Sequence, residues 1–209
     1  MTGTYTYRRL SRDDAAVLFV DHQSGLTTLV QDYPPAEFRN GVLALAAIAR
    51  YFQLPTVLTT SFEQGPNGPI LPELTDLLPG APVIARPGEI NAWDNPYFVR
   101  AVEATGKKQL ILAGIVTEVC VAFPALSALD QGYEVFVVTD ASGTFNEATR
   151  QAAWLRVSQA GAQLLDWFAV ASELQRDWRR DPDGFGKLLA DHTPIYKALM
   201  VSHEAQQKG

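Results

Sequence analysis

The stretch Gln109-Leu-Ile-Leu-Ala-Gly-Ile-Val-Thr-Glu-Val-Cys120, continued by Val121-Ala-Phe-Pro-Ala-Leu-Ser-Ala-Leu-Asp-Gln131, decides the fold. Gln109–Ile115 is an aliphatic run of strand length, and a run without polar alternation belongs to a strand covered on both faces. Glu118–Gln131 behind it is long enough for a helix and is closed by Gly132. A second aliphatic run, Glu134–Thr139, follows at once. Strand, helix and strand with short joints form the unit of a parallel sheet, because a parallel partner is reached only through a crossover.

The same alternation extends in both directions. Upstream, Ala15–Val20 reads as a buried first strand ending at Asp21, and Glu37–Phe52 has apolar residues at helical spacing. Pro55–Thr60 is a second strand, Glu63–Pro82 a long loop with a helical turn near Pro72–Leu77, and Val83–Ala85 a third strand running into Arg86-Pro-Gly88. Asn95-Pro96 opens a helix that ends at Gly106. Downstream come a helix over Glu147–Ala160, a short sixth strand at Gln163–Leu165 and a helix over Val170–Trp178. Two helical pieces, Phe185–His192 and Pro194–Gln206, end the chain. The expectation is a single α/β domain over residues 1–209, a three-layer αβα Rossmann-like fold. Its six-stranded, mainly parallel sheet takes the order 3-2-1-4-5-6. The tail from about residue 185 is a helical arm, packed on its own core or on a neighbouring subunit.

Composition removes several classes of function. The 209 residues are 47% hydrophobic and 19% charged, a globular balance, and the net charge of −6 offers no basic surplus for nucleic acid or anionic membrane. The longest apolar stretches, Ala15–Val20 and Val42–Ala49, fall far short of the roughly 20 residues of a membrane span. The first ten residues lack the apolar region of a secretory signal, so the cytoplasm is the expected location. One cysteine excludes intramolecular disulfides, thiolate zinc clusters and a CxxC pair. Histidines at 22, 192 and 203 form no ligand spacing, and no glycine-rich phosphate motif occurs. A small-molecule substrate with no metal and no cofactor is expected.

In open parallel sheets ligands bind beyond the carboxyl ends of the strands, where the strand order reverses. The polar residues at those ends are Asp21, Arg86, Cys120 and Asp140. With strands one and four adjacent, Asp21 and the Cys120 turn face one crevice, and a carboxylate, a guanidinium and a thiol there make a nucleophilic site. Cys120 falls in the first turn of its helix, where unpaired amides and a nearby Arg86 favour thiolate. Pro124 has no N–H for the Cys120 carbonyl, so the helix is kinked there or that carbonyl has another partner. Each residue also has a structural reading. A lone cysteine is an ordinary small core residue, Asp21 and Asp140 can serve as caps, and Arg86 can be a plain ion-pair residue. His22 fits a supporting polar role, and Asn91 and Trp93 fit loop packing before substrate contact.

Phe19-Val-Asp-His-Gln23, Arg86-Pro-Gly88 and Gly114-Ile-Val-Thr-Glu-Val-Cys120 resemble the three motifs of the isochorismatase-like cysteine hydrolases, over roughly Asp14 to Trp178. Asn91-Ala-Trp-Asp-Asn95, Val121-Ala-Phe-Pro-Ala-Leu126 and Asp140-Ala-Ser-Gly-Thr-Phe-Asn146 resemble one branch of that family whose substrates are unsettled. The resemblance implies a triad of Asp21 as base, Cys120 as nucleophile and, where most members have lysine, Arg86. Arginine keeps its charge, so Arg86 should orient and stabilise but never relay a proton. The resemblance further implies a cis peptide at Val116–Thr117, oxyanion donors in the amides of Thr117 and Cys120, and a substrate pocket drawing on Gln23, Phe62, Asn91 and Trp93. Nicotinamidase members bind zinc with further histidines that the loop Ser61–Asn67 lacks, so no metal is implied. A ring-like homo-oligomer, an octamer, is implied by the branch. The expected activity is hydrolysis of a small amide, carbamoyl or nitrile-like compound through a covalent cysteine intermediate. The rival is an oligomeric redox sensor or binding protein using Cys120 as a peroxide-reactive thiol.

Overall fold

The computed structural model describes residues 7–207. Its elements run β1 (Ala15–Val20), α1 (Pro35–Tyr51), β2 (Thr56–Ser61), α2 (Pro72–Leu77), β3 (Val83–Arg86), α3 (Pro96–Ala104) and β4 (Gln109–Gly114). They continue α4 (Ala122–Asp130), β5 (Glu134–Val138), α5 (Glu147–Ala160), β6 (Gln163–Leu165), α6 (Trp167–Gln175), α7 (Pro182–His192) and α8 (Pro194–Gln207). The sheet order is β3-β2-β1-β4-β5-β6, as the sequence predicts, and every pairing is parallel.

Strand periodicity divides the core into two layers. Ala15, Val17 and Phe19 of β1 join α1, α6 and α7 through Phe38, Leu45, Ile48, Val170, Leu174 and Phe185. Ala16, Leu18 and Val20 join α3, α4 and α5 through Phe98, Val102, Val121, Ala125 and Val157. Val20 pairs with Thr59 on one side and Gly114 on the other, which brings the ends of β1 and β4 level, with β2 running on to Ser61 beside Arg86. The segments leaving those ends therefore meet at one place on the sheet's edge.

Three helix boundaries differ from the sequence reading. Between β4 and α4 the chain makes a widened, π-type turn over Thr117–Val121 before regular helix begins. The cause is Pro124, which cannot supply an N–H to the Cys120 carbonyl. Helix α6 starts three residues early because Asp166 caps it, its Oδ1 accepting the Ala169 N–H at 2.6 Å. Helix α7 likewise begins at Pro182, where Asp181 accepts the Gly184 N–H at 3.0 Å. The C-terminal arm packs on its own core: Phe185 meets the rings of Tyr51, Phe52 and Trp178, and Tyr196 stacks on Trp178. Ile195, Leu199 and Val201 on α8 remain exposed. Among the described residues no helix is long and apolar enough to cross a membrane.

Candidate active site

Asp21 follows β1 with a left-handed backbone, φ 60°. Strand alternation would send this side chain to the α1 layer with Phe19. The left-handed residue breaks the alternation and turns the carboxylate toward Arg86 and Cys120. That conformation costs a non-glycine residue about 1–2 kcal/mol, less for aspartate, whose short polar side chain tolerates it. His22 then takes the α1 side. Its ring lies between Phe19 and Phe38, and its Nε2 sits 2.9 Å from the Ala141 carbonyl. Burial pushes its pKa down to about 4, so it is a neutral supporting residue.

Arg86 ends β3 and is fully enclosed. Its Nη2 donates to Asp21 Oδ1, its Nε to Thr59 Oγ1 at 3.1 Å, and its Nη1 to the carbonyls of Glu89 and Ile90. Thr59 Oγ1 in turn donates to the Ile84 carbonyl at 2.7 Å. The guanidinium thus fastens the Asp21 carboxylate at the end of β1 to β2 and to the loop after β3. A lysine Nζ could not reach these partners as one planar fork. The sequence reading missed Thr59 and the Glu89–Ile90 carbonyls; Thr59-Thr60 at the end of an otherwise aliphatic strand was the available signal.

Asp21 Oδ2 is buried and makes no hydrogen bond. Burial raises the Asp21 pKa, against the lowering effect of Arg86 and of the Cys120 thiol beside it. Cys120 is almost enclosed at 9% exposure. Burial first, and the Asp21 charge second, push the Cys120 thiol well up. This reverses the sequence expectation of a depressed thiol pKa: the proximity of a carboxylate and the loss of water outweigh the helix start and the partly neutralised Arg86. Burial disfavours the charged form of both groups, so nothing in the fold activates the thiol by lowering its pKa. A peroxide sensor wants the opposite, an exposed thiol of low pKa.

The turn carrying Cys120 corrects two expectations. The cis peptide is Ile115–Val116, not Val116–Thr117. The Val116 carbonyl already opens the helix, accepting the N–H groups of Val119 and Cys120 at 3.2 and 2.8 Å, and a carbonyl aligned with the helix axis belongs to a trans peptide. The two expected oxyanion donors both have partners within the protein: the Thr117 N–H donates to the Gly143 carbonyl at 3.1 Å and the Cys120 N–H to the Val116 carbonyl at 2.8 Å.

The four pocket candidates separate. Gln23 uses its whole amide on the β2 loop: Nε2 donates to the carbonyls of Ser61 and Gly68, and Oε1 accepts the Ser61 N–H at 2.8 Å. Asn91 donates to Ser127 Oγ at 3.0 Å and so fastens its loop to α4, while Trp93 sits edge-on to Phe98 of α3 and to Tyr133 in the turn before β5. Phe62 alone is open to solvent, 51% exposed with a left-handed φ of 49°. Asp140 does not join the cluster; its Oδ1 accepts the Trp167 N–H at 3.0 Å. Among the described residues, no group of three or more histidines, cysteines or carboxylates could hold a metal ion.

A doubly wound parallel sheet with a carboxylate, a guanidinium and a thiol gathered at its switch point defines a class of nucleophile-bearing α/β proteins. Residues 15–168 match the isochorismatase domain, and the chain belongs to the isochorismatase family. It is 64% identical over 205 residues to an Escherichia coli protein named "Probable hydrolase YcaC", covering 98% of this chain and 99% of that one. The crystal structure of the Escherichia coli YcaC gene product, an octameric hydrolase of unknown specificity, superposes with a TM-score of 0.96, at 64% identity over 97% of this chain and 100% of that one. YcaC from Pseudomonas aeruginosa, solved with hexane-2,5-diol and covalent acrylamide, gives 0.95 at 65% identity, over 96% and 100%.

Proposed function

We propose that the protein is a cysteine-dependent hydrolase of a small, uncharged amide, carbamoyl or nitrile-like compound. The observation that carries the reading is the buried carboxylate of Asp21, one oxygen held by Arg86 and the other unpartnered beside the only thiol in the chain. Asp21 Oδ2 takes the Cys120 proton as Sγ forms a bond to the carbonyl carbon, and the carbonyl π electrons move to oxygen. Collapse of that oxyanion breaks the C–N bond, and the proton on Asp21 leaves with the amine. Asp21, again a carboxylate, then takes a proton from water as its oxygen attacks the thioester, releasing the acid and the thiol. The oxyanion is received at the amino end of the Thr117–Val121 turn, where backbone N–H groups and the helix dipole favour negative charge. The N–H groups of Thr117 and Cys120 already donate to the Gly143 and Val116 carbonyls, so either would receive the oxyanion by sharing or exchanging its present bond.

Arg86 and Asp21 neutralise one another, and the guanidinium is occupied by protein acceptors. An anionic substrate would find no free partner there, which supports an uncharged one. The Pseudomonas aeruginosa relative holds acrylamide covalently, which supports a nucleophile in this family branch that a small neutral amide can reach. The octameric state of the Escherichia coli relative and the exposed α8 residues Ile195 and Leu199 support a homo-oligomer for this chain.

The test mixes wild type and Cys120→Ser with a panel of small amides and nitriles. Intact mass should show an acyl adduct, and ammonia release should be seen, only in the wild type. A folded wild type that releases product from no member of the panel and forms no adduct removes the reading.

A further inference from the structure

We propose that Thr144 is a positioning residue for the nucleophile, holding the Cys120 turn in place through Glu118 while itself held by Asp32. The inference rests on Cys120 being the nucleophile, and none of these three residues takes part in the proton transfers described above.

The turn needs outside support because it holds itself poorly. Over Thr117–Val121 the Val116 carbonyl is shared by the N–H groups of Val119, Cys120 and Val121, at 3.2, 2.8 and 3.4 Å. Pro124 removes the bond that a regular helix would give the Cys120 carbonyl. The support comes from the segment after β5. Gly143 donates to the Gly114 carbonyl at 3.2 Å and accepts the Thr117 N–H at 3.1 Å. Thr144 Oγ1 donates to Glu118 Oε2 at 2.6 Å, two residues before the sulfur. The nucleophile turn is thus tied to Gly143–Thr144 on both sides of its first residue.

The tie is anchored on its far side as well. The Thr144 N–H donates to Asp32 Oδ1 at 2.8 Å, and the Thr144 carbonyl accepts the N–H groups of Gln31 and Asp32 at 2.8 and 3.3 Å. Asp32 has no side-chain exposure, and Arg150 grips it by donating to its carbonyl at 2.7 Å, with Oδ2 a further 3.7 Å from Nη1. Arg150 is steadied over the Tyr33 ring. Gly143 leaves no slack: a Cβ there would lie 2.7–3.0 Å from Val30 and Phe38. A buried carboxylate bound to a backbone N–H, in a segment that otherwise only connects strand to helix, is costly unless it fixes something. What it fixes is the hydroxyl that holds Glu118.

Such support governs geometry more than binding, and a displacement of about 1 Å at a nucleophile can lower rate roughly 100-fold. Acrylamide is the probe, because the chain has one cysteine and intact mass reads its alkylation directly. Thr144→Val keeps shape and loses the hydroxyl; its alkylation rate should fall roughly 10- to 100-fold. Thr144→Ser, which restores the hydroxyl, should return to within about threefold of wild type, a rescue that a packing role would not give. Glu118→Ala should match Thr144→Val, and the double variant should be no slower than either, because the two residues act as one unit. Should Thr144→Val fail to fold, Glu118→Ala against Glu118→Gln, which keeps an acceptor for the hydroxyl, decides the matter. A reactive wild type equalled by Thr144→Val, a Thr144→Ser as slow as the valine variant, or additive losses in the double variant would each overturn the proposal. A folded wild type whose Cys120 ignores the reagent removes the nucleophile reading itself, a different and recognisable failure.

Discussion

Two strand ends in this molecule carry an aspartate, one fully buried and one half-buried, and they do opposite things. Asp21 follows β1 and Asp140 follows β5, each just after an aliphatic run, and burial raises the pKa of both. Asp140 uses one oxygen to accept the Trp167 N–H, which secures the start of α6. Asp21 gives one oxygen to Arg86 and leaves the other unpartnered next to a thiol. Residue type and the direction of the pKa shift are therefore alike at the two ends, although Asp21 is fully buried and Asp140 only partly. The partners, and the free oxygen, separate the carboxylate proposed as a base from a cap.

The largest effect should divide the two aspartates outright. Asp21→Asn removes the acceptor for the Cys120 proton, and its turnover and acrylamide alkylation should fall roughly 100- to 10,000-fold. Asp140→Asn keeps an oxygen for Trp167 and should stay within about threefold. Rates of adduct formation by intact mass measure both. Equal losses in the two variants, or none at Asp21, would end the distinction.

Arg86 sharpens it from the other side. Arg86→Ala leaves the Asp21 charge buried and alone, and breaking such a pair costs about 3–5 kcal/mol. The melting temperature should drop by roughly 10 °C or more. Asp21→Asn placed in the Arg86→Ala background should recover part of that loss, since no charge then needs a partner. Arg86→Lys should retain the ion pair yet release the Glu89–Ile90 carbonyls, giving a smaller drop. Should Arg86→Ala melt with wild type, the pair is not the enclosed one described above.

The fold and the gathering of Asp21, Arg86 and Cys120 at one place were legible in the sequence for a physical reason. Parallel strands must be apolar on both faces, so Ala15–Val20 and Gln109–Gly114 stand out, and polar residues at their ends stand out in turn. The left-handed φ of Asp21 was not legible. Alternation alone assigns it to the α1 layer, and only the structure shows the backbone reversing that. Gln23, Asn91 and Trp93 were pocket candidates in the sequence; what it did not show is that they are tied to the β2 loop, to α4 and to Tyr133, contacts set by folding over long sequence separations. The raised pKa of Cys120 was hidden too, because a helix start is visible in sequence and the depth of burial is not. Asp32 and Thr144 escaped notice for the same reason, being 112 residues apart and bonded through a backbone N–H.

The smallest effect tests Asp140 as a cap that burial has made uncomfortable. Its pKa lies at about 6, raised from 3.8 chiefly by burial, with Asp166 adding and the Trp167 N–H opposing. A carboxyl whose folded pKa is raised contributes its stability fully below the unfolded value. That contribution is lost as pH climbs through the folded one, because ionisation is easier in the unfolded chain. Between pH 4 and 7 the wild type should therefore lose stability at this residue, on the order of 1–2 kcal/mol once partial exposure is allowed for. Asp140→Asn cannot ionise and still accepts the Trp167 N–H. Its melting temperature relative to wild type should be near zero difference at pH 4, rise by a few degrees toward pH 7 and then level off. A difference that is flat across this range, or that favours wild type at pH 7, would mean that the Asp140 charge is supported in the fold after all, and the two strand ends would be more alike than their partners suggest.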